Sequence, residues 1–154
     1  MDMGTAVSSA VSEIQTANPA QEFRVSTVGP LKGEWDESRI GQLLSNLIGN
    51  AIQHGKDSTP ITVKARGDAE SVMVSVHNEG PAIPPAAMQT LFEPMTRAGG
   101  DKTDMTSSTS MGLGLFISRE ITRAHGGEIS VASTLEDGTT FTVRLPSHPT
   151  KTSL

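Results

Sequence analysis

Apolar residues recur at helical spacing in three stretches of this chain and alternate with polar ones in five others. The strongest helical pattern runs from Ser38 to Gly55, where Ile40, Leu43, Leu44, Leu47, Ile48, Ala51 and Ile52 form one broad apolar face. Asp36 or Ser38 can cap its start, and Gly55 stands where a left-handed residue would end it. Ala6, Val7, Ala10, Val11 and Ile14 predict a shorter helix that stops near Asn18-Pro19. Gly112 to His125 predicts another, opened by glycines and stopped by Gly126-Gly127, and a short helix is expected from Pro85 to Leu91.

The alternating stretches predict strands. Glu22 to Val28 sets Phe23, Val25 and Thr27 on one face, Ile61–Arg66 and Val72–Val76 read as a hairpin, and Glu128–Ser133 and Thr139–Leu145 flank a Leu-Glu-Asp-Gly turn. The order α-β-α-ββ-α-α-ββ predicts one domain, an α/β (α+β) sandwich with an antiparallel-rich sheet and helices on a single face. Its expected span is 6–146, with 1–5 a linker or cloning remnant and 147–154 a disordered tail. Residues 95–110 are rich in Gly, Ser and Thr and too long for an ordinary connection, so they are expected to be disordered or a mobile lid.

The polar edge of the 38–55 helix changes the picture. Gln42, Asn46 and Asn50 repeat every fourth residue and stack three amides in a line. Asn is a mediocre helix former, because its side chain competes for the backbone. Two readings stand at this point: a solvated face, or amides that bind a ligand. An amide oxygen is a hard, neutral donor able to complete a Mg²⁺ shell otherwise made of water and phosphate oxygens.

Composition narrows the classes. At 154 residues the chain can bury a core, and with one Trp and no Tyr that core must be aliphatic. A net charge of −5 argues against a general nucleic-acid binder but not against a nucleotide, whose phosphates can be neutralised locally. The absence of Cys excludes disulfides and thiolate metal sites. No apolar run reaches membrane-spanning length and no signal-peptide pattern is present, so a cytoplasmic location is expected.

Gly112-Leu113-Gly114 at a helix start suits phosphate binding, although glycines there equally serve close packing. Asn78 follows a predicted strand and precedes Gly80; it is a turn former or, alternatively, an amide able to read adenine, with Gly80 admitting a flat base. Arg97 is a surface cation or a group facing a γ-phosphate. His54 ends the amide helix within reach of a ligand, and His77, His125 and His148 show no metal spacing.

Taken in order, these motifs resemble the catalytic and ATP-binding domain of bacterial sensor histidine kinases, in the GHKL superfamily. Leu43-Leu-Ser-Asn-Leu-Ile-Gly-Asn-Ala51 is similar to the N box and Val76-His-Asn-Glu-Gly-Pro-Ala-Ile-Pro84 to the G1 box. Leu91-Phe-Glu-Pro-Met95 resembles the F box, Met111-Gly-Leu-Gly-Leu115 the G2 box, and Gly138–Leu145 the closing strand. The wording around Asn78 is similar to kinases of the bacteriophytochrome type. The resemblance implies a Bergerat fold with a mixed, mostly antiparallel sheet and a flexible ATP lid, with ATP and Mg²⁺ as cofactors.

Carried over by position, the resemblance makes Asn50 the Mg²⁺ ligand and Asn46 and Arg97 the catalytic residues. It assigns nucleotide contacts to Asn50, His54, Asn78, Gly80, Ile83, Phe92, Gly112, Leu113, Gly114 and Thr140. Asn46 stands where many superfamily ATPases carry Glu, and an amide is no strong base for water, which fits phosphotransfer better than hydrolysis. Asn78 replaces the usual Asp, Ala82 and Ser110 replace glycines, and Gln53 replaces a Lys. None of the four His residues sits in a phosphoacceptor context, so the histidine to be phosphorylated is expected on helices outside this chain. The implied partners are those helices and, through them, a response regulator; the domain is expected to be monomeric within a homodimeric kinase, without nucleic acid or direct membrane contact. Two alternatives remain at this point: a degenerate nucleotide-sensing or docking domain, and a Ser/Thr kinase or ATPase on the same fold.

Overall fold

The computed structural model describes residues 1–94 and 105–149, and for residues 105–112 the backbone alone. The elements follow the predicted order: α1 (Met3–Ala17), β1 (Phe23–Val28), α2 (Glu37–His54), β2 (Ile61–Gly67), β3 (Ser71–Asn78), α3 (Pro85–Thr90), α4 (Met105–Ala124), β4 (Glu128–Thr134) and β5 (Gly138–Pro146). The strands make one open sheet in the order β1-β2-β3-β5-β4, with β1 parallel to β2 and every other neighbouring pair antiparallel.

Strand alternation decides where the core lies. Ile61, Val63 and Ala65 of β2, Val72, Val74 and Val76 of β3, and Phe141, Val143 and Leu145 of β5 are all buried. The register sets Val63 beside Val76 and Val76 beside Phe141, so these residues share one face. Onto that face pack α1, α2 and α4, with α2 between the other two. The predicted apolar face of α2 is the centre of the core: Ile40, Leu43, Leu44, Leu47 and Ile48 are essentially inaccessible. Asp36, not Ser38, caps α2, its Oδ1 accepting from the Arg39 N–H at 3.1 Å. Among the described residues no helix is long and apolar enough to cross a membrane.

Several expectations need correction. Residues 1–5 are built into the domain: the N-terminal ammonium donates to the Gly33 carbonyl at 2.8 Å, Asp2 caps α1, and Met3 is fully buried. The tail stays ordered past Pro146, since Ser147 is buried, donates its N–H to the Glu70 carbonyl and accepts from the Glu34 N–H; residues 150–154 lie outside the described residues. Strand β1 is an edge strand that α1 covers only in part, which leaves Val25 43% exposed. Gly55 is extended (φ −69°, ψ 152°) rather than left-handed. Its glycine is demanded by contact instead, because a Cβ there would lie 2.6 Å from the Ala51 carbonyl oxygen.

The helix expected to open at Gly112 begins at Met105, because Met105–Met111 contains neither Pro nor Gly to stop it. Of the expected lid, 105–110 is therefore helical and 95–104 lies outside the described residues.

Candidate functional site

Of the amide edge of α2, Gln42 is exposed and lines the groove against α1, while Asn46 and Asn50 are turned from solvent on the wall toward α4. That wall faces α4 across a pocket of about 180 Å³ lined by Ser45, Asn46, Gly49, Asn50 and Gln53 from α2 and by Gly114 and Leu115 from α4. The α2 residues fall three or four apart, which is why one helix can line a whole wall. The two helices approach closely at Gly114, where a Cβ would meet Asn46 Cγ at 3.7 Å. Asn46 Nδ2 donates to the Gly114 carbonyl at 3.3 Å, and Ser118 Oγ donates to the same oxygen at 2.8 Å. The carbonyl thus anchors the Asn46 carboxamide to α4.

Asn50, one turn along, is 6% exposed, and its Oδ1 has no hydrogen-bond partner. An unsatisfied buried acceptor costs on the order of 1–3 kcal/mol, so natural cores seldom keep one. Lying in the wall of a pocket, it is an acceptor that a ligand or a hard cation could satisfy. Among the described residues no group of three His, Cys, Asp or Glu could hold a metal. A cation here would need neutral oxygens and anionic oxygens from its own ligand, the donor set that Mg²⁺ takes with a polyphosphate. Gly49 adds room, because a Cβ at that position would meet no atom within 4 Å.

A second polar cluster lies at the end of β3, under the C-terminus of α2. Asn78 is 1% exposed; its Nδ2 donates to the Glu79 carbonyl at 3.2 Å while its Oδ1 has no partner. Across the sheet Asn78 pairs with Thr139, which pairs with Ser133, so the three share the helix-facing side. The hydroxyls of Thr139 and Ser133 are 2.7 Å apart, and the Ile83 N–H donates to Ser133 Oγ at 2.9 Å, which ties the loop after β3 to the strand ends. Gly138 (φ +77°) is forced by the same geometry: a Cβ would lie 2.3 Å from the Asn78 carbonyl oxygen.

Gly80, expected to admit a base, has φ +153°, and its close neighbour is protein: a Cβ there would lie 2.7 Å from the His54 carbonyl oxygen. Burial lowers the pKa of His54 below its ordinary value, so its imidazole is neutral at pH 7. Phe92 packs edge-on against Phe141, centroids 6.0 Å apart, which fixes the chain at the start of the expected lid.

The fold therefore gathers Asn46, Asn50 and Gly114 at one pocket, and Asn78 and Ile83 at the neighbouring strand ends, with Gly80 against His54. Thr140 does not join them. It pairs with His77 on the opposite face, and the residue beside Asn78 is Thr139. The alternation of β5 could have been read from the sequence, but its phase relative to Asn78 is set by the register. Ser45, Gly49 and Leu115 were also missed; Ser45 and Gly49 adjoin Asn46 and Asn50 in the same helical rows. Gly112 and Leu113 precede Gly114 within α4, not at its N-terminus, and Leu113 is 44% exposed. Arg97 lies outside the described residues.

Comparison with known proteins gives this geometry a context. Residues 35–149 match the family described as histidine kinase-, DNA gyrase B-, and HSP90-like ATPase. The signal transduction histidine-protein kinase AfsQ2 of Streptomyces coelicolor is 38% identical over 114 residues, covering 74% of this chain and 20% of that protein. A bacteriophytochrome of Pseudomonas aeruginosa is 31% identical over 151 residues, 98% of this chain and 20% of that protein. The chain thus spans about a fifth of the length of either relative. Among solved structures, the nucleotide-free catalytic domain of histidine kinase ThkA superposes with a TM-score of 0.78 at 27% identity, over 97% of this chain and 95% of that one.

Proposed function

Because the chain belongs to the histidine kinase-, DNA gyrase B- and HSP90-like ATPase family, we propose that it is the ATP-binding catalytic module of a sensor histidine kinase. Its reaction is transfer of the ATP γ-phosphoryl group to a histidine on phosphoacceptor helices outside this chain: the bond from γ-phosphorus to the ADP oxygen breaks and a P–N bond to imidazole forms. The observation that carries the reading is the buried, unpartnered Asn50 Oδ1 in the wall shared by α2 and Gly114.

Bound with the triphosphate, Mg²⁺ supplies charge neutralisation at the phosphates. Asn50 contributes one neutral oxygen to its shell. Asn46, tethered to the Gly114 carbonyl, keeps an uncharged amide beside the transferring group, where a carboxylate would activate water and favour hydrolysis. Asn78 offers its Oδ1 to the exocyclic amine of adenine, with Thr139 rather than Thr140 beside it. Arg97 offsets charge on the departing phosphoryl group. The N–H groups of Gly112, Leu113 and Gly114 lie inside α4, where helical bonds to carbonyls four residues back occupy them. They serve the phosphates only once the leading turns of α4 unwind. A response regulator receives the phosphoryl group in turn, and the intact kinase is a homodimer.

Calorimetric titration with a non-hydrolysable ATP analogue and Mg²⁺ tests the reading. Wild-type protein should bind in the micromolar range and Asn50→Ala at least tenfold more weakly in Mg²⁺, with a much smaller difference in EDTA. No binding by wild type at millimolar nucleotide refutes it. Acid-labile phosphate on added acceptor helices then reports transfer, and serine phosphate would redirect the assignment.

A further inference from the structure

One imidazole joins the far ends of the two helices that enclose the pocket. His125 follows the last residue of α4, and its Nδ1 lies 2.8 Å from the Ile121 carbonyl oxygen. Its Nε2 lies 3.1 Å from the backbone nitrogen of Asp36, the N-cap of α2. A carbonyl only accepts and a backbone N–H only donates, so the proton sits on Nδ1 and Nε2 is bare. The two partners together hold the ring as the neutral Nδ1–H tautomer. A histidine that closes its own helix on a final-turn carbonyl is common and needs no further role. The bond to Asp36 is different, because it reaches back 89 positions to another helix. The Asp36 N–H lies ahead of the helical ladder of α2 and has no intrahelical acceptor.

The bond from Asn46 Nδ2 to the Gly114 carbonyl is a second polar link between the same helices. Asp36 and Asn46 are ten positions apart on the α2 side, and Gly114 and His125 eleven apart on the α4 side, in opposite chain directions. The helices therefore run antiparallel, pinned at points about 15 Å apart along their axes. Between the pins, Leu115, Ser118, Ile121 and Thr122 are buried. The hydroxyls of Ser118 and Thr122 bond carbonyls of α4 itself, and apolar contact is non-directional, so none of the four supplies a directed bond to α2.

We propose that His125 is a positioning residue: through the Asp36 N–H it sets the axial register of α4 on α2, and so holds Gly114 opposite Asn46 and Asn50. The inference rests on the nucleotide reading above, in which the leading turns of α4 are rearranged around the phosphates. A helix rebuilt at one end needs its other end fixed, and the imidazole fixes it without touching the ligand. Without the Nε2 acceptor, the Asn46–Gly114 bond alone keeps register, at the place where the wall must change. The two bonds of the ring can be removed separately. His125→Gln can set an amide oxygen where Nε2 accepts, whereas the shorter His125→Asn reaches only the Ile121 carbonyl, and His125→Ala keeps neither bond. A role confined to closing α4 makes Asn the better replacement; a role in register makes it Gln.

The test pairs calorimetric titration with a non-hydrolysable ATP analogue and Mg²⁺ with NMR of the Asn46 side-chain amide, each variant's fold being checked by circular dichroism. Wild type should show the ring-nitrogen shifts of an Nδ1–H imidazole and a coupling across the hydrogen bond between the Asp36 nitrogen and Nε2. His125→Ala and His125→Asn should bind roughly three- to tenfold more weakly and shift the Asn46 amide signal; His125→Gln should stay within about twofold of wild type and leave that signal in place. An Asn variant that binds like wild type overturns the proposal, as does a Gln variant as weak as Ala or an Asn46 signal unmoved in Ala. Where a variant does not fold, the wild-type ring decides: a proton on Nε2, or no coupling to Asp36, removes the link. Failure of wild type to bind nucleotide refutes the parent reading alone, because the Asn46 signal still reports the register.

Discussion

Gly49 offers a sharp separation between what the fold needs and what the site needs. It sits in the interior of α2, more than a turn from either end, where glycine is the wrong residue for a helix. Replacing an interior helical Gly by Ala is worth roughly 0.5–1 kcal/mol when the new methyl meets nothing. Here it meets nothing: no heavy atom lies within 4 Å of the added Cβ. Gly49→Ala should therefore raise stability by close to that amount, a rise in Tm of about 1–4 °C for a domain of this size. The same methyl enters the pocket between Asn46 and Asn50, so nucleotide affinity should fall. Gly49→Leu extends the effect: the side chain fills the pocket of about 180 Å³, and Mg²⁺-nucleotide binding should drop at least a hundredfold while the protein remains folded. Gly41 supplies the control, being another α2 glycine with open space at its Cβ but lining the α1–α2 groove instead. Gly41→Ala should match the stability gain without loss of binding. Urea unfolding paired with calorimetric titration reads both quantities. A Gly49→Ala variant less stable than wild type would refute the openness of the pocket at that position; a Gly49→Leu variant that binds normally would show that the pocket is not the ligand site.

Two further outcomes follow from the same geometry. Gly138→Ala combines φ +77° with a Cβ 2.3 Å from the Asn78 carbonyl oxygen, so it should cost about 2 kcal/mol or more in urea unfolding and weaken adenine nucleotide binding by moving Asn78. Stability should fall on acidification. The folded pKa of His54 lies below 6.5 through burial, so below about that pH the unfolded chain takes up the proton first. The carboxyl of Asp68 is lowered by accepting the Glu70 and Ser71 N–H groups, a contribution present above pH 3.8 and lost as the pH falls through its folded value. Unfolding at pH 7.5, 5.5, 4 and 3 should show this decline, and Asp68→Asn should flatten its most acidic part; a stability maximum near pH 5 would contradict the His54 assignment, and an unchanged acid decline in Asp68→Asn would contradict the other.

Period-based reasoning succeeded where a residue's surroundings are fixed by its own element. The apolar rows of α2 and the amides beside them were legible because both follow the helical repeat; Asn46 and Asn50 line one pocket, while Gln42, the third of the row, is exposed in the groove against α1. It failed where a distant segment decides. Thr139 and Thr140 are equally plausible from the strand alone; only pairing with β3 puts the first beside Asn78 and the second beside His77. Met1 to Thr5 read as an appendage because their partners, Gly33 and Lys32, lie some thirty residues away. Gly55 and Gly80 were assigned conformational or ligand-facing roles, while their substitution is blocked by the Ala51 and His54 carbonyls. Even the start of α4 is of this kind: glycine marks a helix boundary only if something upstream fails to be helical.

The two walls of the pocket differ in how firmly they are held. The α2 wall is rigid, with its apolar face inaccessible and its amides already placed, so Asn46 and Asn50 need no reorganisation to meet a ligand. The leading turns of α4, ahead of the wall residues Gly114 and Leu115, are composed of poor helix formers. Gly112 and Gly114 each weaken the helix by about 1 kcal/mol relative to Ala, and the Thr-Ser-Ser-Thr-Ser run from Thr106 to Ser110 adds roughly half that per residue. Together they make the leading turns of α4 roughly 4–5 kcal/mol less favourable than an alanine helix of the same length. Freeing the N–H groups of Gly112 to Gly114 for phosphates is therefore inexpensive on this side and would be ruinous on the other. On the proposed function, the glycines would matter less as a ready-made cradle than as the reason one wall can be rebuilt around a triphosphate while Asn50 and Asn78 stay where the core holds them.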